Sequence, residues 1–176
     1  MPRAISFLFQ DLDALRSTSR TEAGRVATLL TVRSAAVFLF RLSQLVGRSV
    51  PFLGSVLKQL NHLLTGADLA WQADIGPGLV LHHPTGVVIG PHVSIGPGCV
   101  VQQGVTLGGG AGDEGGRSDS PVLGSRVQLG PGSRVLGPVR VGDDSLVAAN
   151  AVVVRDVSAE SVARGVPARS YPRPQQ

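Results

Sequence analysis

Between Leu69 and Val157 an aliphatic residue returns every six positions. The series runs Leu69, Ile75, Leu81, then after a two-residue slip Ile89, Ile95, Val101 and Leu107, and past a Gly-rich interruption Leu123, Leu129, Val135, Val141, Val147 and Val153. Four residues after each comes a mostly small one: Ala73, Leu79, Thr85, Val93, Cys99, Val105, Val127, Ser133, Val139, Ser145, Ala151 and Val157. A helix repeats its apolar face near 3.6 residues and a plain strand near two, so a period of six predicts a short strand followed by a turn. Three such units close one triangular coil, and stacked coils lie about 4.8 Å apart, which sets each aliphatic over its equivalent. Gly76-Pro77, Gly90-Pro91, Gly96-Pro97, Gly130-Pro131 and Gly142-Asp143 are expected to turn the corners, Gly by accepting a positive φ and Pro by presetting the backbone beside it. A Gly-rich disordered segment would leave the aliphatic column without purpose.

Ahead of the repeat the pattern is helical. Thr21 is placed to cap a helix in which Val26, Leu29, Leu30, Val37, Phe38, Leu42 and Leu45 recur at three-, four- and seven-residue spacing, with Gly47 at its end. The apolar run Val26 to Val46 has the length of a membrane span, but Arg33 and Arg41 lie inside it, each costing about 2.5–3.5 kcal/mol at a bilayer centre. It reads as a buried or subunit-contact helix. Pro51 opens a second helix to Leu64, closed by Gly66. The apolar run Ala4 to Phe9 is cut short by Asp11 and Asp13, too short for a secretory leader. The expected organisation is a helical region over 1–67, a parallel β-helix over 68–158 interrupted by a Gly-rich loop at 108–121, and a tail over 159–176.

Composition narrows the partners. The chain has 176 residues, 43% of them hydrophobic and 16% charged, enough for one real core. Sixteen basic against twelve acidic side chains give a net charge of +4, but aromatic residues are few and the basic ones isolated, which argues against nucleic acid and for a phosphate-bearing small ligand. The single Cys99 cannot form an internal disulfide, which points to a reducing cytoplasm, and its inward position assigns it to packing.

The segments Asp74-Ile-Gly-Pro-Gly-Leu-Val-Leu-His-His83, Thr85-Gly-Val-Val-Ile-Gly90, Gln103-Gly-Val-Thr-Leu-Gly-Gly109 and Gly165-Val-Pro-Ala-Arg169 resemble the hexapeptide-repeat acyltransferases, and within them the serine O-acetyltransferases. Asp11-Leu-Asp-Ala-Leu-Arg16 and Phe40-Arg41 resemble the later part of that family's helical domain. The resemblance implies a left-handed β-helix, a handedness that general crossover rules do not supply. It also implies a homotrimer; whether trimers pair is left open, because the helical region is shorter than in the longer members.

Acyl transfer from a thioester to a hydroxyl needs a base within hydrogen-bond reach, and neutral His suits that task. Of the four histidines, His62 falls in a helix and His92 on an ordinary turn, whereas His82 and His83 stand on a corner just before the slip at 84–88. His83 is the expected base. By resemblance it occupies the family's catalytic position, and Asp68, fifteen residues upstream, matches the carboxylate that orients it. An acidic residue precedes the base in the family, whereas here it is His82; an Arg-His pair before the loop's closing Pro is replaced by Asp119 and Ser120, and a helical-domain Asp by Thr18 or Ser19. Those are acceptor-binding positions, so free L-serine is expected to be a poor acceptor.

The resemblance also implies acetyl-CoA, or another acyl-CoA, as co-substrate and no permanently bound cofactor. Gly108, Gly109 and Gly110 open a loop whose bare backbone can approach the thioester. Gly165 and Arg169 are expected beside the donor, with Arg134 and Arg140 either at its phosphates or on a solvated face. The acceptor is a small hydroxyl compound or one tethered to a carrier, with no membrane partner. A scaffold that binds coenzyme A without turnover is the other reading. The zinc hydratases that share such coils require His at set spacings that His82, His83 and His92 do not offer, so no metal is expected.

Overall fold

The structure is a computed structural model that describes residues 3–18, 26–28, 30–109 and 119–173. Strands of mostly two residues wind as a left-handed parallel β-helix. The first coil is β1 (Asp68–Leu69), β2 (Asp74–Ile75) and β3 (Val80–Leu81), the second β4 (Val88–Ile89), β5 (Ser94–Ile95) and β6 (Val100–Val101). The third is β7 (Thr106–Gly108), β8 (Val122–Leu123) and β9 (Gln128–Leu129), the fourth β10 (Arg134–Leu136), β11 (Arg140–Val141) and β12 (Leu146–Val147), followed by β13 (Val152–Val153). Each coil gives one strand to each of three parallel sheets, ordered β1-β4-β7-β10-β13, β2-β5-β8-β11 and β3-β6-β9-β12. Register stacks Leu69, Ile89, Leu107, Val135 and Val153 in the first sheet, with equivalent columns in the other two, all buried. Burying one such side chain contributes roughly 1.5–3 kcal/mol, so the repeat is its own core.

Two details depart from the sequence reading. Thr85 is exposed and Val87 takes its place inside, because the two extra residues of the slip bulge outward before the chain turns in again. The second concerns the corners. Positive φ falls on Gly78, Gly98 and Gly132, two residues after the Gly that precedes Pro, as well as on Arg126, Asp144 and Asn150. At Gly76, Gly96 and Gly130 the Gly before Pro is needed for proximity instead: a Cβ on Gly96 would stand 2.5 Å from Gly124 O and 2.8 Å from Ser125 N in the next coil. These are backbone atoms that cannot swing aside. Gly96→Ala is therefore expected to lower stability by about 1–3 kcal/mol, read as an earlier urea midpoint at unchanged slope.

Among the described residues, helices α1 (Arg3–Ser17), α2 (Val32–Gly47) and α3 (Pro51–Thr65) close the top of the prism. The first was hidden from the apolar pattern because Asp11 interrupts its buried stripe of Ala4, Leu8 and Leu15. The expected cap at Thr21 lies outside the described residues, and the helix ending at Gly47 begins at Val32. Its buried face is also rotated from the expected stripe: Ala36, Val37, Phe40, Arg41, Gln44 and Gly47 point inward, whereas Leu30 and Phe38 are exposed. Polar side chains are wanted inside because the first coil ends in unpaired carbonyls. Arg41 donates to Ile75 O at 2.8 Å and Gly76 O at 2.7 Å, and Gln44 Nε2 to Ala73 O at 2.8 Å. Asp11 balances the guanidinium, accepting from Arg41 Nε at 2.7 Å and from the Leu79 amide at 2.8 Å. Burial raises the Asp11 pKa, and the Arg41 bond and charge oppose that rise. Gly66 ends α3 with φ of 76° and donates its N–H to His62 O, delivering the chain to Asp68.

At the other end the repeat continues past residue 158. The segment expected as a tail forms β14 (Ser161–Gly165), parallel to β12, and β15 (Ala168–Pro172), antiparallel to β14, extending the third sheet. Among the described residues no helix is long and apolar enough to cross a membrane.

Candidate active site

At the corner between β3 and β4 the regular coil is broken by two extra residues. His82 continues the ladder, donating its N–H to Val101 O at 2.9 Å, and Pro84 is buried; between them His83 projects into the open. The extra residues then fold back over the end of α3, where the Gly86 amide donates to Gly66 O at 2.9 Å. This brings the corner against the start of β1, whose Asp68 amide donates to Val87 O. The slip thus gathers His82, His83 and Asp68 around one end of the first coil.

Asp68 is half-buried and its Oδ1 forms an ion pair with Lys58 Nζ of α3 at 2.5 Å. Among the described residues no hydrogen bond joins Asp68 to His83. Lys58 escaped the sequence reading, although it is the one lysine of the chain. A second missed residue is Arg33, in the first turn of α2, which packs on β3. Burial lowers the His82 pKa first, and the positive charges of Arg33 and His83 lower it further. In the sequence Arg33 argues only against a membrane span, and a charge within an apolar helical run is the one signal it gives.

The remaining candidates lie elsewhere on the prism. Gly108 ends β7, and Asp119 and Ser120 precede β8, so they stand where the chain leaves the first sheet, whereas His83 stands where it enters. Gly109 is described and Gly110 lies outside the described residues. Arg134 of β10 is in register with Thr106 of the neighbouring β7, on the same sheet as Gly108. Arg140, one repeat later, points from the second sheet, and Asp156 Oδ1 accepts from its backbone N–H at 2.8 Å. A step of six residues is a third of a turn, so the two arginines occupy different faces. Gly165 and Arg169 belong to the β14–β15 hairpin, which touches β13 at the lower edge of the first sheet. Cys99 is fully buried with Sγ 3.3 Å from Gly124 O, and burial pushes its thiol up to about 11, which removes it as a nucleophile. Among the described residues no three His, Cys, Asp or Glu side chains gather as metal ligands.

Residues 120–155 match the family model described as bacterial transferase hexapeptide (six repeats), the class that the repeating coil defines. A serine acetyltransferase of Helicobacter pylori strain J99 is 41% identical over 136 residues, covering 77% of this chain and 78% of that one. One of Mycobacterium tuberculosis is 42% identical over 120 residues, 68% of this chain, which spans about half (52%) of that relative's length. The structure of soybean serine acetyltransferase complexed with serine superposes with a TM-score of 0.86 at 31% identity, over 97% of this chain and 70% of that one. The chain belongs to the serine acetyltransferase family.

Proposed function

We propose that the protein is a coenzyme A-dependent O-acyltransferase in which His83 is the general base. The observation that carries this reading is the exposed imidazole on the β3–β4 corner, where the slip lengthens the coil, in a chain of this family. In the reaction His83 takes the proton of the acceptor hydroxyl as its oxygen attacks the thioester carbonyl. The tetrahedral intermediate collapses to the ester, and the departing thiolate recovers that proton from the imidazolium as free coenzyme A. Asp68 is the positioning residue: its ion pair with Lys58 engages Oδ1, and the second oxygen can accept from the imidazole N–H and fix its tautomer.

The donor, acetyl-CoA or a related thioester, is assigned to the first sheet, where Gly108 and Arg134 sit on adjacent strands and the hairpin with Gly165 and Arg169 meets the lower edge. Backbone amides of the Gly-rich loop would face the thioester oxyanion. Arg140 stands outside that groove. Because His83 enters the first sheet and Asp119 and Ser120 leave it, a single chain spreads the two halves of the acceptor pocket across one face. A homotrimer would bring the leaving corner of one copy to the entering corner of the next. Phe52, Leu63 and Leu64 of α3, 74%, 80% and 63% exposed, offer apolar area for such contacts. Sedimentation at micromolar concentration is expected to give three times the monomer mass; a monomer would exclude a shared site. A lone buried cysteine is compatible with work in the cytoplasm. The acceptor is a hydroxyl compound, small or carrier-tethered, and free L-serine is a poor one because His82, Asp119 and Ser120 differ from the expected clamp. Release of coenzyme A across a panel of hydroxyl acceptors tests the reading; no release with any would leave a binding scaffold.

A further inference from the structure

The helices reach the first coil's edge through Lys58. Asp68 opens β1, the edge strand of the first sheet, and its side chain points outward from the coil. Its backbone is set by the bond from its N–H to Val87 O at 2.8 Å, but its carboxylate could still turn about two side-chain bonds. Lys58 Nζ takes up that freedom, standing 2.5 Å from Asp68 Oδ1, with the two side chains only 26% and 36% exposed. Partial burial makes such a charge-assisted contact stronger than one in open water. The lysine itself stands on a stiff support. Three residues on, the buried Asn61 donates from Nδ2 to Ala36 O of α2 at 3.0 Å and accepts from Thr65 Oγ1 at 2.8 Å. One turn before Lys58, Gly54 lies so close to α2 that a Cβ on it would stand 2.5 Å from Gly47 Cα. Helix α3 therefore cannot slide on α2 without breaking buried bonds. We propose that Lys58 is a positioning residue for acyl transfer, holding the Asp68 carboxylate so that its second oxygen meets the His83 imidazole. The inference rests on the reading of Asp68 as the partner of His83. A neutral imidazole carries its proton on either nitrogen, and an anion selects one of them only while it is held in place. Helix α3 then contributes to turnover through a single charge, and a displacement of the helix from β1 would disturb the base without touching it.

Lys58→Met keeps the apolar stem and removes the charge. It is expected to lower kcat for coenzyme A release about threefold or more with the KM for acetyl-CoA unchanged, and Lys58→Arg should restore most of the rate. In an Asp68→Asn background the same Lys58→Met change should have no further effect, because a residue that acts through the carboxylate then has nothing to act on. Should Lys58→Met fold poorly, Lys58→Gln carries the same test. Nitrogen-resolved NMR of the labelled, unliganded full chain in mildly alkaline solution gives a reading independent of turnover, with the His83 resonances identified by their loss in His83→Ala. One tautomer is expected in the native protein and in Lys58→Arg, and a mixture of two in Lys58→Met and in Asp68→Asn. Full kcat in Lys58→Met, a loss that multiplies in the double variant, or a His83 tautomer that Lys58→Met leaves unchanged each overturns the inference. Coenzyme A release unaffected by His83→Ala, together with a tautomer that still depends on Lys58, would leave the positioning contact standing and remove the acyl-transfer reading instead.

Discussion

Replacement of His83 by Ala is expected to slow coenzyme A release with a competent hydroxyl acceptor by about 10²-fold or more. A hydroxyl cannot ionise at neutral pH unaided, so without the imidazole the attacking oxygen keeps its proton as the carbon–oxygen bond forms. The loss should appear in kcat and in kcat/KM alike, since proton removal belongs to the transition state and not to the bound ground state. Asp68→Asn should lose less, because it leaves the base in place and removes only the anion that orients it. Steady-state release of thiol, followed with folded and assembled variants, checks both. Full activity in His83→Ala would refute the mechanism.

The largest expected effect on stability comes from the ion pair under the helices. Arg41 and Asp11 are 1% and 0% exposed at their side chains, so removing one partner strands the other's charge away from water. Asp11→Ala should lower the unfolding free energy by about 3–5 kcal/mol, a large share of the 5–15 typical of a domain. The double change Asp11→Leu with Arg41→Met should recover part of that, but not all, because the Ile75 and Gly76 carbonyls and the Leu79 amide would then lack partners. Urea unfolding measures both variants. A single change that costs under about 0.5 kcal/mol would show that the helices do not depend on this pair.

The repeat was open to sequence reading because its period is enforced at every coil: each inward aliphatic must stand above another, and the register does place Ile89 on Leu69 and Leu107 on Ile89. The exposure of His83 was legible for the related reason that a slip in a strict period marks a place where the backbone is released from packing. Thr85 was misplaced because a count of four carries no information about which residues of a slip bulge outward. The corner glycines were identified correctly as necessary and for the wrong cause, since a short contact to the next coil leaves no trace within one repeat. The apolar pattern did not mark α1, which only the resemblance and the helical region over 1–67 covered, and it misplaced the inward face of α2, because those faces carry Asp11, Arg41 and Gln44 and apolar periodicity is blind to a polar face that serves a carbonyl edge. Arg33 and Lys58 became candidates only when helices distant in sequence were seen against β3 and β1.

A parallel coil of this kind contains nothing that says how many times it should wind. Each turn leaves the same row of amides and carbonyls for another, and a second molecule could in principle supply it. Here the count is fixed by the two ends: above, Arg41 and Gln44 of α2 occupy carbonyls at which a preceding turn would dock, and below, β15 runs antiparallel to β14, so a parallel strand in the third sheet meets a neighbour of opposite direction. The hairpin and the helices therefore make the protein finite, a discrete particle where the repeat alone would specify a fibre.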